Sequence, residues 1–404
     1  MKMTGKIIAA AAALTICFGA VSPAYAAVTD LRQDRSVTAE IVNFDEIEGR
    51  VCSTIDEAAL YIREQIKLRN PAIKVIFPSD SGIDDYEAFS KVREKVFEHT
   101  GDPKEGDYLL LVAASYASNS HRTDTGVEYT MQINYSSSLE SEEKAEPIFQ
   151  ELLTSLRSFQ LSDTSDVEKI KKIYDYMTSN IKLFVDEMDI SRSSAAYALL
   201  NGFSTSTGYT QLLIRLLGEF GYDASAYVTN LEFGEDMTYH ALVIVKLNGK
   251  NYFLDPVWDS KLGGSDRHRF FLKGYNDLDS EVPEDSEYHH EHIYDGEMME
   301  ELRKRYAFAD TAFDPSSPVL KLGDVNGDGI VDSVDASSIL AEYAQLSSEN
   351  GMSTFSDLQK WAADIDGNSL IDAVDASSVL SYYAYLSTLG EGVSPKNIES
   401  FIRK

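Results

Sequence analysis

The stretch "GFSTSTGYTQLLIRLLGEFGYDA", residues 202–224, decides how the middle of this chain is read. Leu212, Leu213, Ile214, Leu216 and Leu217 fall on nearly every side of a helical projection. A surface helix keeps a polar face, so this composition predicts a helix buried all round. Ser206, two residues before Gly208, then stands at the positive end of that helix. Free backbone N–H groups there can lower a nucleophile's pKa and hold an oxyanion.

Upstream, "SDVEKIKKIYDYMTSNIKLFV" (165–185) puts Val167, Ile170, Ile173, Tyr174, Met177 and Ile181 on one side at helical spacing, which predicts an amphipathic helix. Downstream, "TYHALVIVKLNGKNYFLDPVWD" (238–259) reads as two strands joined at Asn248-Gly249, a strong signal for a two-residue hairpin turn. Such a turn pairs Leu247 with Lys250 and places Leu242 opposite Asp255. His240 and Asp255 become diagonal neighbours on one face, roughly 7–8 Å apart at their alpha carbons, within reach of an imidazole–carboxylate hydrogen bond.

A nucleophile helix followed by His and then Asp on a hairpin resembles the transglutaminase-like superfamily, relatives of the papain-like cysteine peptidases. The resemblance runs over about residues 165–275. It implies an α+β domain of papain-like type, with His240 as general base, Asp255 orienting it, and the nucleophile at position 206. The family has cysteine there; this chain has Ser206. A thiol, with an ordinary pKa near ~8.5, becomes thiolate beside an imidazolium, whereas a hydroxyl must lose its proton during attack. The favoured expectation is therefore a pseudoenzyme that binds a peptide or protein ligand in the old cleft. The alternative is a peptidase or acyl-transferase using Ser206, His240 and Asp255, since serine does work beside His and Asp on other folds. Trp258 is expected either to line that cleft or to belong to the core. Cys52, without a His partner, reads as a buried packing residue. His289, His290 and His292 lie in an acidic polar stretch and read as surface.

The C-terminus carries a repeat. "GDVNGDGIVDSVDASSILAEYAQLS" (323–347) recurs as "ADIDGNSLIDAVDASSVLSYYAYLS" (363–387). In the first copy Asp324, Asn326, Asp328, Asp332 and Asp335 hold positions 1, 3, 5, 9 and 12 of an EF-hand-like loop, with the Ile330 carbonyl at position 7. The second offers Asp364, Asp366, Asn368, Asp372 and Asp375, with the Leu370 carbonyl. Hard oxygen ligands at alternate positions suit calcium rather than zinc, so two calcium ions are expected. Ser369 stands where the first copy has the turn glycine, Gly329, which predicts strain in the second loop.

Two such loops, each ending in aspartate and followed by a single helix, resemble a type I dockerin. This is the small all-α module that plugs cellulosome enzymes into cohesin domains on a scaffold protein. The resemblance implies a cohesin partner and points to Ser337, Ser338, Ser377 and Ser378 as contact residues; these serines could equally cap and pack their helices. The company dockerins keep adds a further alternative, an accessory role in plant polysaccharide degradation.

The formal charge is −30 over 404 residues, which argues against nucleic acid or an anionic membrane as partner. Lys2 and Lys6 precede an apolar run from Ile7 to Val21, and Ala24-Tyr25-Ala26 offers a cleavage site, so residues 1–26 are expected to be a signal peptide. The expected localisation is secreted and extracellular, on a cell-surface or released cellulosome. The expected division is a mixed α/β companion region at 27–160, the transglutaminase-like domain at 161–309, a linker at 310–320, the dockerin at 321–389 and a tail at 390–404.

Overall fold

The computed structural model describes residues 42–158, 165–184, 190–233, 236–262, 268–277, 296–348, 351–389, 396 and 398–402. The expected signal peptide and the histidines at 289, 290 and 292 lie outside the described residues. Among the described residues the architecture is α+β, with three sheets and four apolar clusters.

The first sheet has the order β1-β2-β4-β3, from Arg50–Val51 (β1), Ala72–Pro78 (β2), Ser115–Thr123 (β3) and Gly126–Asn134 (β4). β1 runs parallel to β2, and the other pairs are antiparallel. Helix α1 (Ile55–Lys67) is capped by Thr54, whose side chain accepts from the Glu57 N–H. Its Ala58, Ala59, Ile62 and Ile66 recur at helical spacing and are buried, as are alternate β2 residues Ile73, Val75 and Phe77. Helix α2 (Asp85–Val96) packs beside α1. Cys52 lies in this core, and burial pushes its thiol pKa up.

"YLLLVAAS" (108–115) reads as a strand in the sequence, yet Asp107–Val112 is a helix, α3. All five residues from Tyr108 to Val112 are buried. Leu109 and Leu110 enter the first core, while Tyr108, Leu111 and Val112 enter the second. A segment wedged between two cores is apolar all round, and periodicity then cannot tell strand from helix.

The second core gathers α4 (Leu139–Ser158), α5 (Asp166–Asn180), α6 (Ala195–Asn201) and α7 (Ser206–Glu219) against the antiparallel sheet β7-β8-β9. These strands are Ala224–Phe233, Asp236–Leu247 and Lys250–Leu254. A short parallel pair, β5 (Lys182–Leu183) and β6 (Phe203–Ser204), ties α5 to the entrance of α7. Every residue of α7 from Ser206 to Leu217 is buried. Helix α4, expected in the companion region, sends Phe149, Leu152, Leu153 and Leu156 into this core, so the cores do not divide at residue 160. Helices α8 (Pro256–Leu262) and α9 (Gly296–Arg305) follow the hairpin.

The C-terminal module comprises α10 (Ser333–Leu346), α11 (Asp357–Ala363), α12 (Ala373–Thr388) and α13 (Ile398–Ile402), with Ile339, Ala362, Ala363, Ile365 and Val379 at its centre. The residues expected to be a tail correct that reading: α13 folds back and buries Ile398, with the Phe401 ring 5.5 Å from that of Tyr382. Among the described residues, no helix is long and apolar enough to cross a membrane.

Candidate functional site

The β8-β9 register follows from the turn. Leu247 pairs with Lys250 and Val243 with Leu254, while Asn248 and Gly249 have φ of 51° and 71°, the left-handed backbone a type I′ turn demands. Asp255 therefore leaves β9 beside the strand that carries His240. His240 Nε2 lies 2.7 Å from Asp255 Oδ2, with side-chain exposures of 4% and 0%. Asp255 also precedes α8, and its Oδ1 accepts from the Trp258 N–H at 3.4 Å, an N-cap bond ahead of a proline at the first helical position. One carboxylate thus caps a helix with one oxygen and holds the imidazole with the other. In the tautomer whose Nε2–H donates to Asp255, Nδ1 is the basic nitrogen.

Ser206 opens α7 and is fully buried. Its Oγ accepts from the Ala241 N–H at 3.1 Å, which ties the first residue of α7 to the residue following His240. The entrance of α7 is close-packed: a Cβ on Gly208 would stand 1.9 Å from Ser204 Oγ and 2.9 Å from Ser194 O. Trp258 belongs to an apolar cluster with Leu242, Phe253 and Phe270, its ring 5.9 Å from the His240 ring. A cavity of about 600 Å³ lies elsewhere, between the central core and the C-terminal module, lined by Arg157, Tyr222, Lys246, Trp361 and Tyr382 among others but by none of Ser206, His240 and Asp255.

Sequence reasoning missed Asp259, one helical turn beyond Asp255 and wholly buried. It accepts from the Arg269 and Phe270 N–H groups, each at 3.0 Å, and from the Tyr174 hydroxyl. Burial, with the Asp255 charge adding to it, pushes its pKa up to about 7. The signal was a second aspartate four residues after the first, on the same helix face.

In the C-terminal loops, Asp335 and Asp375 at position 12 are fully buried and turn back on their own loops. Asp335 accepts from the Val325, Asn326 and Asp332 N–H groups, and Asp375 from those of Ile365 and Asp372. Asp324 accepts from the Gly327 and Gly329 N–H groups at 2.8 Å each. Burial raises the pKa of Asp324, Asp335 and Asp375, and neighbouring aspartates add to it.

In the second loop, oxygens of Asp364, Asp366 and Asp375 lie within 4.8 Å of one another, and buried Asp364 Oδ1 has no hydrogen-bond partner among the described residues. Converging carboxylates with an unmet buried oxygen fit a hard divalent cation. The first loop shows no such three-carboxylate cluster among the described residues; its third position is Asn326. Ile330 and Leu370 expose their side chains, as residues contributing only a carbonyl can.

Ser337, Ser338 and Ser377 bond back to the carbonyls four residues earlier, and Ser337 and Ser377 are exposed. Ser338 and Ser378 are half-buried. Beside them lie apolar residues that sequence reasoning passed over: Val334, Leu340 and Tyr343 on α10, and their counterparts Val374, Leu380 and Tyr383 on α12, all between 41% and 55% exposed. The signal was their recurrence at helical spacing in both repeats.

Residues 322–382 match the family described as Dockerin type I domain, so the C-terminal module is a type I dockerin. No curated protein matches the chain. A solved structure described as "Crystal structure of a TGase" aligns at 12% identity with a TM-score of 0.24, over 51% of this chain and 60% of that one. The chain thus spans less than two thirds of that protein, and a likeness of this size carries neither fold nor activity.

Proposed function

We propose that this chain, which carries a type I dockerin at residues 322–382, is a secreted cellulosome component that docks with calcium to a cohesin domain of a scaffold protein. Two calcium ions are held by the loops of Asp324 to Asp335 and Asp364 to Asp375. The loops' own residues supply the oxygens, and their mutual repulsion without the ion makes binding part of folding. The observation that carries the docking reading is the paired apolar and serine stripe on α10 and α12, exposed at equivalent positions in both repeats. Calorimetric titration of the full chain with cohesin, in calcium and in EGTA, tests it; equal binding in both would refute the calcium-dependent docking.

Residues 161–309 are read as a transglutaminase-like domain with serine at the nucleophile position, acting as a binder of peptide or protein rather than as a catalyst. Supporting this, Ser206 is withdrawn from solvent and its Oγ is engaged by the Ala241 N–H. The catalytic reading keeps its own support in the His240–Asp255 pair at 2.7 Å. In that reading Nδ1 of His240 takes the Ser206 proton as Oγ attacks an acyl carbon, and Asp255 stabilises the imidazolium. Mass spectrometry of a peptide and protein pool incubated with wild type, Ser206→Ala and Ser206→Cys separates the two. Turnover by wild type but not Ser206→Ala refutes the binder reading; turnover by Ser206→Cys alone supports it.

A further inference from the structure

The linker and two segments of the C-terminal module meet the rest of the chain, here called the cargo, at one place, the turn of the β8-β9 hairpin. Asn248 uses both ends of its side-chain amide on the linker: Nδ2 donates to Pro318 O at 2.8 Å, and Oδ1 accepts from the Leu320 N–H at 2.9 Å. The Trp361 indole of α11 lies on the next residue, so close that a Cβ on Gly249 would stand 2.2 Å from Trp361 Nε1. On the strand leading into the turn, Lys246 Nζ pairs with Glu399 Oε1 of α13 at 2.6 Å, both side chains about three-quarters buried.

These anchors connect directly to the first calcium loop. Leu320, held by Asn248 through its backbone, sends its side chain into the dockerin core beside Val325 and Val331, which lie within that loop. The Gly323 N–H, at the loop's entrance, donates to the Ala362 carbonyl beside Trp361 at 2.8 Å. On the cargo side, the hairpin that receives these contacts carries His240 and leads into Asp255. The exposed stripe of Val334, Leu340, Tyr343, Val374, Leu380 and Tyr383 takes no part, so cohesin and cargo would use different faces of the dockerin.

We propose that Asn248 clamps the dockerin to the cargo hairpin, so that calcium binding to the dockerin stabilises the cargo and the cargo in turn tightens calcium binding. This rests on the calcium reading above. The physical basis is linkage. The ion binds only the folded dockerin, the folded dockerin alone presents Leu320, Trp361 and Glu399 together, and a contact that favours one folded module favours the other by the same free energy.

The chain holds two tryptophans, Trp258 in the cargo core and Trp361 in the dockerin. In full-length Trp361→Phe, an aromatic ring stays over the turn and Trp258 becomes the sole tryptophan, so thermal melting followed by its fluorescence reports the cargo. Calcium should raise that midpoint relative to EGTA. Adding Asn248→Gly, which keeps a turn residue suited to positive φ while deleting both amide bonds, should abolish the calcium-induced shift and weaken calcium binding several-fold by calorimetric titration.

Calcium that binds normally while the Trp258 midpoint stays unmoved would overturn the coupling and leave the calcium reading intact. A calcium shift of full size in the Asn248→Gly variant would overturn the clamp's assignment to Asn248. An absence of calcium binding would remove both the coupling and the reading on which it rests.

Discussion

His240 Nε2 and Asp255 Oδ2 stand 2.7 Å apart with both side chains buried, and the N–H of the next residue, Ala241, donates to Ser206 Oγ. Position 206 also opens α7, where the free N–H groups of the helix end present partial positive charge. A thiol placed at 206 should feel that field.

Ser206→Cys is therefore expected to titrate below the ordinary thiol value of about 8.5, read from thiolate absorbance near the ultraviolet edge. Cys52, whose pKa burial raises, supplies the contrasting thiol in the same molecule. Adding His240→Ala should move the new thiol upward. A thiol at 206 that titrates no lower than a free cysteine would show that the pair no longer reaches this position.

Gly208→Ala sets two effects against each other. Alanine favours an α-helix by about 1 kcal/mol, but its Cβ would sit 1.9 Å from Ser204 Oγ and 2.9 Å from Ser194 O. Backbone cannot yield as a flexible side-chain end does, so the clash should win, costing on the order of 1–3 kcal/mol in a urea melt. An unchanged or higher midpoint would mean that the entrance of α7 is looser than it stands.

Asp259 makes stability depend on pH. Its folded pKa, pushed up to about 7, lies above the unfolded aspartate value of about 3.9, so the folded state holds an extra proton between them. Its contribution is fully present below the unfolded value and is lost as pH rises towards 7 and beyond. Asp259→Asn cannot ionise, so the stability gap between wild type and variant should narrow from pH 4 to pH 8 in denaturant titrations. A gap of constant size would refute the raised pKa.

Ser369 adopts φ of 65° at the turn where the first loop has Gly329 at 84°. A non-glycine residue held left-handed costs on the order of 1 kcal/mol, which each ordering of the loop must meet. Ser369→Gly should tighten the calcium step of the second loop by several-fold and leave that of the first unchanged, as a two-site calorimetric titration can resolve. No change in either step would mean that the strained turn does not limit binding.

The parts legible in the sequence are those whose geometry is local. Asn248-Gly249 imposes a two-residue turn with positive φ at both positions, and from that turn alone the His240–Asp255 neighbourhood follows by counting residues. The dockerin loops are equally local, with ligands recurring at short fixed intervals. The buried character of α7 was visible because its apolar residues cover every face.

What escaped depends on packing between segments distant along the chain. Residues 108–112 became a helix because two cores claim its opposite faces, and α4 joined the second core rather than the first. Asp259 gained its character from the Tyr174 hydroxyl, contributed from 85 residues away, and from burial that no window of sequence displays.

The sequence by itself determined the hairpin register, the duplicated oxygen-ligand loops and the serine at position 206, because steric limits on a turn and residue chemistry act within a few positions. Only the tertiary structure decided that Ser206 is closed off beneath Ala241, that α13 completes the dockerin core, and that Asn248 reaches the linker. Burial and long-range hydrogen bonds are properties of the assembled surfaces, and they come into being only when every segment has found its neighbours.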